Sequence, residues 1–211
     1  MSPNIFNRAE IIDLKFSQSV REQNFPELNS LTRFSDLSLT SSECVDLFES
    51  QVISRHLDFQ ARILKNTSQS YYTIGSSGHE GNAAVGKAFG LNDMAFLHYR
   101  SGALMIQRSK QLKGSTPIYD NLLSFVASSE DPISGGRHKV FGSLALNVPP
   151  QTSTIASHLP KAMGMAFSIG KKAEFQKYFP DDSVVICNFG DASLNHSTAQ
   201  GAINTAGWIA Y

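Results

Sequence analysis

At 211 residues with 41% hydrophobic content, the chain is long enough to bury one substantial core, and domain-size statistics favour one domain over two. Lysine plus arginine (18) balances aspartate plus glutamate (18), so no net field draws it toward nucleic acid or an anionic membrane. Cys44 and Cys187 lie far apart and form no CxxC pair, which suits reduced thiols in the cytoplasm better than a disulfide framework.

Met1 to Phe16 carries Arg8, Glu10, Asp13 and Lys15 without a continuous apolar segment, resembling neither a signal peptide nor a membrane span. Residues 1–39 hold no sustained period and read as an N-terminal extension with at most one short helix; residues 40–211 read as the main domain. Thr40-Ser41-Ser42-Glu43 has the form of a capping box. Val45, Phe48, Val52, Phe59 and Ile63 follow at mostly three- and four-residue steps, predicting a long amphipathic helix. Gly75-Ser76-Ser77-Gly78 predicts a turn, Glu80 onward a helix of small residues, and Met94 to Leu97 a strand. Leu159 to Phe175 reads as helix, broken by Pro180-Asp181-Asp182; Ser183 to Cys187 is short, β-branched and apolar, the pattern of a buried parallel strand. No internal repeat is present, and an α/β sheet with helices on both faces is the simplest architecture.

After that strand comes Asn188-Phe189-Gly190-Asp191-Ala192-Ser193, then a helix-compatible segment from about Asn195. Open α/β sheets bind ligands at the carboxyl ends of their strands, where glycine lets the backbone approach phosphate. Asp191 therefore stands where a metal-diphosphate would, and a carboxylate there suits magnesium. The competing reading is an ordinary strand-to-helix turn in which Asp191 only caps a helix.

Three further segments accompany this motif in order: Tyr71-Tyr72-Thr73-Ile74-Gly75-Ser76-Ser77-Gly78-His79-Glu80; Phe96-Leu97-His98-Tyr99-Arg100; and Ser134-Gly135-Gly136-Arg137 leading to Ser153-Thr154-Ile155-Ala156-Ser157-His158-Leu159-Pro160-Lys161-Ala162-Met163-Gly164. From about Leu47 to the last residue the chain resembles the alpha component of thiamine diphosphate-dependent 2-oxo acid dehydrogenases of the branched-chain and pyruvate type. The resemblance implies a three-layer thiamine diphosphate-binding fold with a largely parallel sheet, incomplete at its C-terminus. It also implies thiamine diphosphate and magnesium as cofactors, and oxidative decarboxylation of a 2-oxo acid with transfer of the acyl group to lipoyl. By the same resemblance, His98, Tyr99 and Arg100 reach the cofactor, with the arginine fork on the diphosphate. Ile155 is the aliphatic wedge beneath the cofactor, Gly190, Ala192 and Ser193 line the diphosphate, and Asp191 holds the metal. Read without the family, Arg100 is a surface ion-pair partner and Ile155 ordinary core packing. Gly135-Gly136-Arg137-His138 resembles a mobile active-site loop hinged on its glycines, with His138 the catalytic proton donor.

The pattern departs from the family at Ala192, where relatives usually have glycine, at His196, where an acidic residue is usual, and at Phe141, close to the place of a later loop histidine. His98 stands where relatives often carry glutamine. The second metal ligand, an asparagine about thirty residues beyond the Gly-Asp pair, falls past Tyr211. The chain therefore reads as a truncated, self-associating piece that is inactive alone. Its expected partners are a beta component or fused second half, a lipoyl-bearing transacylase and the 2-oxo acid substrate. Two other readings stand beside this one: another thiamine diphosphate enzyme, acetoin-cleaving or transketolase-like, and a non-catalytic assembly module of the same fold.

Overall fold

The computed structural model describes residues 8–27, 34–171 and 176–210. The chain divides between Cys44 and Val45 into two compact units. The first contains α1 (Arg8–Glu22) and a 3-10 turn, Phe34–Asp36. Fifteen helical residues exceed the single short helix that the uneven hydrophobic pattern suggests. Polar spacing supplies what the apolar period lacks: Glu10 lies in the first turn, Arg21 in the last, and Gln18 donates to Glu22 at 2.8 Å one turn away. The capping box forms in full. Thr40 N–H donates to Glu43 Oε2 at 2.8 Å, Glu43 N–H donates back to Thr40 Oγ1 at 3.3 Å, and α2 (Ser41–Asn66) begins there.

The second unit follows α2 with α3 (Ala83–Ala88), β1 (Met94–Phe96), α4 (Gly102–Ser109) and α5 (Pro117–Phe125). Then come β2 (Phe141–Ser143), β3 (Val148–Gln151), α6 (Leu159–Ser168), β4 (Val185–Cys187) and α7 (Ser197–Ala210). β1 and β4 pair in parallel, Met94 opposite Val185 and Phe96 opposite Cys187. β2 and β3 form an antiparallel pair that the sequence does not announce, because Pro149 and Pro150 lie inside β3. Proline is tolerated at a sheet edge, where its missing N–H breaks no ladder. The Ala95 N–H donates to Asn147 O at 3.0 Å, attaching this pair to β1.

Helix α4 is buried all round, from Ala103 through Ser109. Leu104 and Met105 pack with Ala95, Leu97, Phe141 and Val148 on one side, and Ile106 packs with Leu57, Ala61 and Phe125 on the other. The fully enclosed Arg108 ties it further, donating from Nε to Leu146 O at 2.8 Å and from its terminal nitrogen to Asp93 O.

Three expectations change here. The face that α2 buries is Ser50, Ser54, Leu57 and Ala61, whereas Val45 (66% exposed), Phe48 and Ile63 face outward. Small polar residues win because they approach α4 closely: Ser50 Oγ donates to Gln107 Oε1 at 2.7 Å, and Gln107 in turn donates to Asp46 Oδ2 at 2.7 Å. Strand β4 is parallel as its composition suggests, but only half-buried, since among the described residues it pairs on one side alone. Its other side opens on an apolar groove shared with α6 and α7, walled by Met163, Phe167, Cys187, Phe189, Ile203 and Ile209. Helix α6 ends at Ser168 rather than Phe175: Ile169 turns extended, and Gly170 takes φ +73°. Residues 172–175 of that expected helix lie outside the described residues, as does Tyr211.

Candidate functional site

The carboxyl ends of β1 and β4 are adjacent, as the parallel register requires. From β1 the chain runs through Leu97 into His98-Tyr99-Arg100; from β4 it runs through Asn188 and Phe189 into Gly190-Asp191. Asn188, to which sequence reasoning gave no role, locks these ends together. Its N–H donates to Phe96 O at 2.9 Å, and its Oδ1 accepts from Ser101 Oγ at 2.6 Å and Asn82 Nδ2 at 3.3 Å. His158 Nε2 donates to Asn188 O at 2.8 Å, bringing in the start of α6. That bond leaves Nδ1 of the buried His158 without a partner among the described residues. Burial holds the His158 imidazole below its ordinary pKa despite the bond.

Arg100 is half-buried, donates to Gly75 O at 2.6 Å and lies over the Tyr99 ring, with its guanidinium carbon 5.3 Å from the centroid. Among the described residues it makes no ion pair, and it joins the strand end to the 71–80 segment. The turn expected at residues 75–78 forms, with Gly78 at φ +85° and His79 N–H donating to Ser76 O at 2.8 Å. Asp58 of α2 secures it, accepting from Ser76 N at 2.8 Å, Ser76 Oγ at 2.9 Å and Arg55 at 3.2 Å. Burial nevertheless raises the Asp58 pKa.

Beneath Arg100 lies a cavity bordered by Asp58, Gly75, Tyr99, Lys139 and Phe141. The Lys139 ammonium sits 3.8 Å from the Phe141 ring centroid, with Tyr72 and Phe125 at 5.5 and 5.4 Å. Burial pushes this amine down to about 7, against the pull of Asp131 and Asp58. Neither Asp58 nor Lys139 carries a local sequence signal, because each acts through residues distant in the chain.

His79 stacks on His98 at 5.1 Å, and both rings are held below the ordinary imidazole range. For His98 burial is the main cause, followed by His79, His158 and Arg100, and the value falls to about 4. The His79 pKa is lowered by burial and Arg100 and raised in part by Glu80 and Asp191. Asp191 is exposed and opens a 3-10 turn, Asp191–Asn195, whose N-cap is Gly190. Ala192 is exposed, whereas Ser193 is 5% exposed. Ile155 is 52% exposed in the Thr154–Ser157 turn, so it is not core packing.

The 134–138 segment is held by hydrogen bonds within itself and to Asp131. Ser134 Oγ donates to His138 O at 2.7 Å, and Gly135 N–H donates to Asp131 O at 3.0 Å. Gly136, at φ +75°, passes so close to the Ala127 carbonyl that no side chain would fit. His138 is exposed and accepts from the Ser153 N–H at 3.5 Å, beside the turn that carries Ile155. Cys187 lies at the end of β4 with its thiol pushed up to about 11 by burial, and both cysteines are free. Among the described residues no three His, Cys, Asp or Glu side chains cluster as a metal site, and no helix is long and apolar enough to cross a membrane.

No family model matches the chain. It is 26% identical over 182 residues to the 2-oxoisovalerate dehydrogenase subunit alpha of Bacillus subtilis (strain 168), an alignment covering 84% of this chain and 51% of that protein. The chain thus spans about half the length of the curated relative it matches. That similarity supports kinship with a 2-oxo acid dehydrogenase alpha subunit at the level of a distant resemblance.

Proposed function

We propose that the chain supplies one wall of a thiamine diphosphate site, in an alpha-type component that oxidatively decarboxylates a 2-oxo acid and passes the acyl group to lipoyl. The observation that carries this reading is the meeting of two parallel strand ends, one leading into a cationic fork (Arg100) and the other into a carboxylate (Asp191). The donor set fits the group. Arg100 and the Tyr99 ring would face the diphosphate, while Gly190 leaves its backbone open. Asp191, exposed and unclustered, would give magnesium one hard oxygen ligand, leaving the rest of the shell to phosphate, water and other ligands. When bound, the cofactor would supply a nucleophilic carbon and an electron sink for decarboxylation. The protein's own part would be orientation: Asn188 fixes the spacing of the two strand ends, and Asp58 fixes the carbonyl of the turn that holds Arg100. His138 would meet the substrate or lipoyl group from the 134–138 turn. A beta component or second half would complete the site, and the three-layer fold is part of the same proposal.

Calorimetric titration with thiamine diphosphate and magnesium tests the reading. Saturable binding is expected, weakened by Asp191→Asn and by Arg100→Lys, which lose the anionic ligand and the bidentate fork respectively. Equal affinity in wild type and both variants would overturn the site assignment.

A further inference from the structure

On the approach to β2 the chain buries residues 139 and 141 and leaves Val140 between them half-buried, so an amine and a ring enter the core side by side. Three rings from separate segments close on the Lys139 nitrogen: Phe141 at 3.8 Å, Phe125 of α5 at 5.4 Å and Tyr72 at 5.5 Å. The side chain keeps 8% exposure and borders the cavity beneath Arg100. Among the described residues it makes no ion pair. The charges acting on it are the carboxylates of Asp131 and Asp58, and Asp58 lines the same cavity.

These surroundings suit one kind of chemistry. A lysine amine attacks a carbonyl carbon only in its neutral form, and a water-excluding pocket favours that form. With its titration lowered to about 7, about half of Lys139 is neutral at neutral pH, against roughly one in a few thousand for an exposed lysine. The same walls suit the product. An iminium on Nζ is a cation, which the ring faces attract and the two carboxylates balance. The cavity volume of about 20 Å³ is little more than one water needs, so the carbonyl compound must be short.

We propose that Lys139 is a covalent carbonyl-binding site, whose amine condenses with a short aldehyde or 2-oxo acid entering beneath Arg100. Nζ bonds to the carbonyl carbon while the C=O π pair moves to oxygen. Both amine protons pass to that oxygen, which leaves as water, and a proton taken up from solvent turns the imine into an iminium. No electron donor or acceptor is required. The two compounds share the carbonyl and differ in a carboxylate, for which Arg100 borders the cavity without an ion pair. This site goes beyond the function proposed above and needs no thiamine diphosphate.

The test incubates the 211-residue chain at neutral pH with acetaldehyde or with pyruvate, and adds cyanoborohydride to reduce any iminium to a stable secondary amine. Peptide mass spectrometry then maps the modified lysines. Lys139 is expected to react at least roughly tenfold faster than any other lysine. Its rate should rise with pH through about 7, because deprotonation supplies the reactive form, and level off while exposed lysines continue to accelerate. The groups around it, Asp58 of α2, Asp131, Tyr72 and Arg100, give the midpoint a direction in variants. Asp131→Asn removes a charge that holds the proton on and should move the midpoint down. Phe141→Ala admits water and should move it up. Labelling by both probes identifies a site for a bare carbonyl. Labelling by pyruvate alone, reduced at least roughly tenfold in Arg100→Met, identifies a 2-oxo acid. No modification of Lys139 by either probe, a rate no greater than that of exposed lysines, or a midpoint unmoved in both Asp131→Asn and Phe141→Ala would each overturn the proposal. Because the labelling is read without thiamine diphosphate, its failure and the failure of the cofactor titration are separate results.

Discussion

The two strands that form the site sit in very different surroundings. β1 is covered by α4, whose residues from Ala103 to Ser109 are all buried, and by the β2–β3 pair. β4 is half-buried beside α7, a fourteen-residue helix without a single charge that buries only Ala199 and Ala202 and leaves Trp208 76% exposed. Arg100 and His98 therefore stand on a densely packed wall, and Asp191 on a sparsely covered one. Adjacent strand ends thus do not imply equal rigidity: fewer buried contacts around β4 mean a lower free energy for local opening. Ligand contacts would be expected to order the Asp191 side more than the Arg100 side.

This comparison is broken most directly at its packed end. Leu104→Ala, at a position with no exposure, should cost about 3 kcal/mol in urea unfolding, whereas Ile203→Ala on the open wall should stay within about 1 kcal/mol. Equal losses would remove the distinction.

A second effect is set by pH. The Lys139 amine titrates near 7 in the folded protein and near 10.5 when unfolded, so between these values the unfolded chain binds the extra proton. Stability should rise with pH across that window, by up to about 1.4 kcal/mol per pH unit. His98 gives the same sign between about 4 and 6.5. Lys139→Met should flatten the alkaline slope and leave the acidic one, which denaturation at a series of pH values would reveal.

Asp58→Asn should cost roughly 1–2 kcal/mol, because three donors lose a charged acceptor. It should also loosen the turn that holds Arg100, seen as faster amide exchange at Ser76. Thr40→Ala, which removes the capping hydroxyl of α2, should cost about 1 kcal/mol. The smallest change in stability belongs to the open wall: Trp208→Ser should shift it by no more than about 0.5 kcal/mol while reducing self-association in sedimentation velocity, since exposed apolar surface drives assembly. Unchanged sedimentation would show that this face is not where copies meet.

Signals carried within a few residues were legible in advance. The capping box at Thr40–Glu43, the Gly75–Gly78 turn, the short β-branched strand before Asn188 and the two strand ends bearing Arg100 and Asp191 all follow from local composition or from motif order. What failed was the inference from local pattern to environment. The periodic apolar stripe of α2 was the natural candidate for its buried face, yet Ser50 and Ser54 take that place because α4 lies close enough to hydrogen-bond. At 135–136, the packing of Gly136 against Ala127 is likewise set by a neighbour that no local pattern announces.

The sequence by itself determined where α2, β1 and α6 begin, and which chemical groups lie at the ends of β1 and β4, because those depend on neighbours a few residues away. Tertiary structure alone decided which of those groups meet. Asn82 and Asn188, 106 positions apart, share a hydrogen bond that no periodicity announces. Lys139 becomes a weakly basic amine only because three rings from separate elements exclude water around it. Burial and long-range pairing arise from the packing of whole elements, and that information resides in no single segment of the chain.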